Sequence, residues 1–273
     1  MNLSCLPVSL FGDITSGKIP LRTWFEFGEK MNLDAIDLGI VLLKNHTPVY
    51  IDSINKDLQE VGIGIAMITD YPDFTNPSAL QRERELSYFS HDIALASQVG
   101  AKFLRVTSGQ AHPEVSIKEG IGYAVENIKK SADLAEKMGV QLVLENHSTP
   151  GAWHYADFNY SPDVFLEIFH KLRDTNIGIN FDTANIIAYG EDPIPVLKEV
   201  VSKVLTVHAA DTSTKGKLTP CVVGTGLVPF TEIFGILKEN GFDNWICIEE
   251  WSNTGFNGIE TAIKNIRTLW ERA

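Results

Sequence analysis

The 273-residue chain is sparing with cysteine and with basic residues, and it contains no long apolar run. Its three cysteines, Cys5, Cys221 and Cys247, lie far apart and form no C-x-x-C pair. That excludes a disulfide framework and a thiolate zinc site, and it predicts a reduced, cytoplasmic protein whose cysteines pack in the core. Lys and Arg number 23 against 35 Asp and Glu, for a formal charge of −12. A surface of that sign repels polyanions, so neither nucleic acid nor an anionic membrane is the expected partner. No stretch approaches the ~18 apolar residues of a membrane span. The apolar start, LSCLPVSLF, lacks a basic flank and a small-residue cleavage site, so it reads as a first strand and not as a targeting segment. No G-x-G-x-x-G follows the first two strand candidates, which argues against an open dinucleotide-binding sheet. No linker, low-complexity stretch or composition break interrupts the chain, so residues 1–273 are expected to form a single domain.

What is present is alternation. Strand-like apolar runs lie at 3–10, 35–43, 64–70, 103–109, 140–147, 177–185, 203–211 and 245–251. Helical patterns lie at 20–31, 51–61, 77–99, 116–138, 162–174, 193–201, 229–240 and 258–271. Several runs are continuously apolar, as expected for parallel strands covered on both faces. Gly62, Gly100, Gly139 and Gly241, with Asn32 and Asn176, close helical patterns a few residues before a strand, as left-handed helix ends do. Asn76-Pro77 and Ser161-Pro162 read as helix starts. The long connections, 107–115, 148–160 and 212–228, all follow strands. A (β/α)8 TIM barrel, typically ~250 residues, accounts for the length, the alternation and this asymmetry of loops.

Glu145, Asp182, His208 and Glu249 each stand near the C-terminal end of a separate run, in VQLVLENH, IGINFDTAN, KVLTVHAAD and WICIEEW. One carboxylate at a strand end commonly caps a loop, and one such histidine is commonly a hydrogen-bonded core residue. Four at equivalent ends of four successive strands converge on one barrel rim. Three carboxylates there repel one another in a low dielectric unless a cation sits among them. One imidazole and three carboxylates suit a divalent metal, with Mn²⁺ favoured over Mg²⁺, Co²⁺, Zn²⁺ or Fe²⁺. Residues two apart share a strand face, so His147 points the way Glu145 does and Glu250 opposes Glu249.

These motifs, with VGTGLVPFTEIFGILKENGF before the last run, resemble the xylose isomerase-like barrel superfamily in its sugar isomerase and epimerase branch, over nearly the whole chain. The resemblance implies that Glu145, Asp182, His208 and Glu249 hold the metal. It also implies that Glu145 and Glu249 move the proton, that the substrate is a small-molecule sugar, and that the protein is a homo-oligomer. Three departures from the ketose 3-epimerase pattern stand out. Asn185 replaces a histidine, and AADTSTKGK lacks a substrate-gripping arginine that Lys215 or Lys217 would have to replace. His147 adds an imidazole beside the metal, which resembles the metal-bearing subunit of bacterial C-glycoside deglycosidases and implies a small partner subunit under that reading.

The expected activity is isomerisation or epimerisation of a keto sugar through an enediolate, with Glu145, Glu249 and His147 as acid–base groups. The alternative is a lyase on 3-keto glycosides with His147 as base. A non-catalytic sugar-binding barrel is a third reading. DNA cleavage on the same fold is disfavoured by only seven histidines and the acidic charge. Arg105, His112, Asn185, Asp211, Trp153 and Lys215 are the candidate substrate-binding residues, each with an ordinary alternative as a rim ion pair, a loop contact or a solvated charge. The Gly224–Gly226 turn is a weak candidate for a phosphate cradle, and Asp37 either reaches the cavity or anchors a loop.

Overall fold

The computed structural model describes every residue except Pro150 and Ala152. Eight strands, β1 (Asn2–Leu6), β2 (Ile36–Gly39), β3 (Ile65–Thr69), β4 (Phe103–Val106), β5 (Gln141–Glu145), β6 (Gly178–Asp182), β7 (Val204–Ala209) and β8 (Trp245–Glu249), run parallel in the order β1-β8-β7-β6-β5-β4-β3-β2. The ends of that order meet at β1 and β2. Leu3 O accepts from Asp34 N at 2.9 Å, while the Leu3 N–H donates to the Asp34 carboxylate at 2.8 Å and Ser4 Oγ to Asp37 at 2.7 Å. Side chains thus complete a seam that the backbone ladder leaves open, and the sheet is a nearly closed (β/α)8 barrel.

The helices that flank the barrel are α2 (Leu21–Lys30), α3 (Pro48–Val61), α4 (Ala79–Gln98), α5 (Ile117–Lys137), α6 (Pro162–Leu172), α8 (Pro193–Val200), α9 (Phe230–Glu239) and α10 (Gly255–Arg272). Two short helices sit on the strand-end face, α1 (Phe11–Thr15) and α7 (Asn185–Tyr189). One apolar cluster fills the space between barrel and helices, with Trp24, Phe89, Phe165 and Phe234 fully buried. A second plugs the lower barrel with Met67, Phe103, Val143, Trp245 and Cys247. No helix among the described residues is long and apolar enough to cross a membrane.

Strands end earlier than the apolar runs suggest. Residues 8–10 and 40–42 form single helical turns and 185–189 a helix, because these apolar residues pack against the barrel top instead of extending its ladders. Four of the six expected helix closers adopt φ of 72–83° at glycine, and Asn32 has φ 53°; Asn176 does not enter the left-handed region. Ser161 and Pro162 start α6 as expected. The start of α4 falls at Ser78, whose side chain accepts from Gln81 N at 3.4 Å, two residues beyond the expected Asn76.

Candidate metal centre and flanking clefts

Alternation along the last four strands stacks Val143, Asn180, Thr206 and Cys247 one layer below Glu145, Asp182, His208 and Glu249. Parallel pairing sets Asp182 level with His208. Potential ligand atoms of these four residues all lie within 4.8 Å of one another. His208 Nδ1 stands 2.6 Å from Glu145 Oε1 and 3.1 Å from Glu249 Oε2. The first is a hydrogen bond; the second matches adjacent donors on one cation at ~2.1 Å, which lie about 3 Å apart. Glu145, Asp182 and His208 are buried, and Glu249 is 16% exposed at the mouth.

Neighbouring groups fix these ligands. The Asn146 side chain accepts from Asp182 N at 2.8 Å and donates to Asp182 O at 2.9 Å, adding a rung where the β5–β6 ladder ends. Asp182 Oδ1 then accepts from the N–H groups of Ala184 and Asn185, at 2.8 and 2.7 Å. Burial pushes the Asp182 carboxyl well above its usual range, and the charges of Glu145 and Glu249 push it further, against the opposing pull of His208. Burial also acts to raise Glu145, yet His208 and Arg105 outweigh it and hold that carboxyl at about 2. For His208 burial acts downward, and Glu145 and Glu249 reverse it, holding the imidazole well above its ordinary value. The crowding of three carboxylates, a ring nitrogen aimed among them, and the ~3 Å spacing fit a divalent cation. Glu145, Asp182, His208 and Glu249 would hold it.

Two clefts open from this centre. The more polar one, about 420 Å³ with its open mouth, is walled by Asp182, Asn185, Asp211, Leu218, Cys221 and Trp251. The apolar one, about 1250 Å³ with its open mouth, is walled by Phe11, Ile40, Tyr71, Trp153 and Trp251. His147, Thr149, Glu249 and Trp251 border both. His147 Nδ1 faces Asp157 Oδ2 at 3.6 Å, and neither atom has a hydrogen bond. Asn159 holds this loop down, accepting from His147 N at 3.2 Å and donating to Glu145 O at 2.8 Å.

The other expected site residues divide. Asn185 and Trp153 line the clefts. Arg105 is fully buried beneath the metal centre, where Nε meets Glu145 at 2.9 Å and Nη1 donates to Asp70 O at 3.0 Å. It lines neither cleft and grips a ligand where a substrate contact was expected. His112 pairs with Asp73 at 2.8 Å and clamps a loop away from both clefts. Lys215 is exposed and borders neither cleft. Asp211 edges the polar cleft, but its carboxylate accepts from the N–H groups of Thr212, Gly224, Gly226 and Val228 at 2.7–3.2 Å. It therefore fills the turn that was the weak candidate for a phosphate. Asp37 lies inside the barrel, bound by Ser4 Oγ and by Met67 N at 3.0 Å. Tyr71, Asn146 and Asp157 carried no sequence signal: each sits just past a strand or in mid-loop, and only the folded loop shows what it touches.

Residues 25–271 match the family model described as xylose isomerase-like TIM barrel. The inosose dehydratase of Clostridium beijerinckii is 24% identical over 262 residues, covering 84% of this chain and 83% of that protein. Other inosose dehydratases align over about half of their own length. Among solved structures, the IOLI protein with a bound zinc atom has a TM-score of 0.78 at 20% identity, covering 98% and 96% of the two chains. D-psicose 3-epimerase from Clostridium cellulolyticum H10, solved with D-tagatose, has a TM-score of 0.77 at 12% identity over 99% of both chains. The match over residues 25–271, on a barrel of the expected architecture, settles the family: the chain belongs to the xylose isomerase-like TIM-barrel family.

Proposed function

We propose that the protein is a divalent-metal-dependent lyase that removes the proton next to the carbonyl of a keto sugar or keto cyclitol and expels an oxygen substituent from the adjoining carbon. When bound, the cation would supply Lewis-acid stabilisation of the enediolate charge; three carboxylates to one imidazole favour manganese. The observation that carries the reading is His147. It borders both clefts beside Glu249, belongs to no ligand set, and has Asp157 behind it. The ring takes the carbon-bound proton and hands it to the departing oxygen. The C–H and C–O bonds break, a C=C bond forms, and water or an alcohol leaves with that proton. One base suffices for such an elimination on a single face.

Epimerisation instead needs a second donor across the substrate. Glu145 and Glu249 could serve, since both contact His208 from the rim, but each would do so while holding the cation. The inosose dehydratase relatives also favour elimination. The test incubates the manganese-loaded protein with an inosose in D₂O, with and without chelator. Metal-dependent appearance of an unsaturated or diketone product supports the proposal. Exchange of the α-proton without loss of water assigns the protein to the isomerase and epimerase reading, and no exchange at all removes both.

A further inference from the structure

The connections that follow β3, β4 and β5 are tied together at Gln110. Its backbone pairs with Asp157 in an isolated antiparallel bridge. Around that bridge the Phe158 N–H donates to Gly109 O at 2.7 Å, and the Ala111 N–H to Ala156 O at 2.9 Å. From the other side Thr75 Oγ1 donates to Gln110 O at 2.7 Å. Gly109 makes that approach possible: its φ is 117°, and a Cβ there would lie 2.4 Å from Thr75 Oγ1.

The side chain of Gln110 is fixed end to end. Nε2 donates to Asp73 Oδ2 at 3.3 Å, and Oε1 accepts from the N–H groups of His154 and Tyr155 at 3.0 and 3.4 Å. Turning the amide over would set its oxygen against a carboxylate and its NH₂ against two N–H groups. Asp73 is itself buried and anchored. It accepts from Gln110 N at 2.8 Å and from Asn76 Nδ2 at 3.0 Å, and it meets His112 Nε2 at 2.8 Å. The amide thus spans from a buried carboxylate to the limb of the next loop that leads into Asp157. Asp157 N donates to Ser148 O at 2.5 Å, which closes the neck of that loop, and Asp157 Oδ2 faces His147 Nδ1 at 3.6 Å. Gln110 itself borders neither cleft.

We propose that Gln110 is a positioning residue: by strapping the loop limb at His154 and Tyr155 it holds the Asp157 carboxylate against His147, without itself meeting substrate. This rests on the reading of His147 as the base. Gln110→Met keeps the length of the side chain and removes both polar ends, and Gln110→Ala takes its place should the first fail to fold. Hydrogen exchange followed by mass spectrometry reads the strap, and turnover of an inosose by manganese-loaded protein reads the positioning. The amides of His154 and Tyr155 are expected to exchange about tenfold faster in the variant, as loss of a hydrogen bond would give. The variant's kcat is expected to fall by up to about tenfold, no further than in Asp157→Asn, with a smaller change in KM. In the Asp157→Asn background the same substitution should cost kcat little, because the group it positions has lost its charge. Any of four results overturns the proposal: unchanged exchange, unchanged kcat, a loss taken mainly in KM, or losses that multiply in the double variant. The base reading fails separately, on full activity in His147→Ala or on no turnover in the parent. The positioning role then falls with it, whatever the exchange shows.

Discussion

Arg105 Nε stands 2.9 Å from Glu145 Oε2, with neither side chain exposed to solvent. Neither atom has an aligned hydrogen-bond partner, so this is a close charge contact and not a directed bond. It lets Glu145 stay ionised in the dry centre of the barrel. Removing one partner of a buried pair typically costs about 3–5 kcal/mol, because the other charge is stranded. Arg105→Met is therefore expected to lower stability by that order in urea unfolding with chelator present. Glu145 is held below its unfolded value, so its contribution is present above about pH 4.5 and lost as pH falls toward 2. With Arg105 gone Glu145 is held less far below its unfolded value, so its acid-induced loss should be smaller in the variant and level off at higher pH than in the parent. Superimposable acid limbs would count against the pairing.

Asp182 and His208 both hold protons more tightly than usual in the metal-free centre. A cation must displace protons from them, so its affinity should climb as pH is raised, by about tenfold per unit for each proton displaced. Titration calorimetry in buffers of different ionisation enthalpy counts those protons. Asp182→Asn removes a ligand and one of the protons; weaker metal binding with a shallower pH dependence is expected. Affinity flat with pH in the parent would remove this account of the centre.

Asp37 gives an independent pH test away from the rim. Burial lifts its carboxyl to about 6, against the bonds from Ser4 and Met67 and the field of His208. The folded chain then holds this proton more tightly than the unfolded chain. Its effect on stability is most favourable below about pH 4, declines as pH rises to about 6, and is flat above. Over that window the decline is at most roughly 3 kcal/mol. Asp37→Asn keeps the shape, can accept from Met67 N through its amide oxygen while its NH₂ donates to Ser4 Oγ, and cannot titrate. Urea midpoints in chelator should therefore fall less between pH 4 and 6 in the variant than in the parent. Parallel pH profiles would show that Asp37 does not titrate there.

The barrel and the convergence of Glu145, Asp182, His208 and Glu249 at its rim were legible because both are written in periodicity. Strand alternation fixes which residues share a face, and parallel pairing fixes that successive strand ends meet. Arg105 shows where that logic stops. Its strand and its inward face were readable, but not that its long side chain folds under Glu145 toward Asp70. The loop-holding role of Asp211 was hidden for a related reason. Its carboxylate is captured by amides 13–17 residues downstream, and loop closure of that kind leaves no local pattern. The run at 177–185 was carried as strand through Asn185, and the short helix Asn185–Tyr189 was not expected, because burial does not say how the backbone is paired.

His147 and Asp157 offer the most direct test of the chemistry. Their side chains face each other at 3.6 Å, longer than a hydrogen bond, and burial raises the Asp157 carboxyl while His147 acts to lower it. Catalytic contacts are often loose before substrate arrives, and a shift of about half an ångström would close this one to hydrogen-bond length. Asp157 would then orient the ring and stabilise its protonated form, as a positioning residue. His147→Ala is expected to lower kcat by about 10²–10⁴, the usual worth of a placed acid–base group, while metal affinity stays near that of the parent. Asp157→Asn keeps the shape but not the charge, so a loss of about tenfold in kcat with little change in KM is expected, together with a changed pH–rate profile. Loss of bound metal in His147→Ala would instead make this histidine a ligand or a structural prop. Full activity in that variant would move the base to Glu145 or Glu249 and return the protein to the epimerase reading.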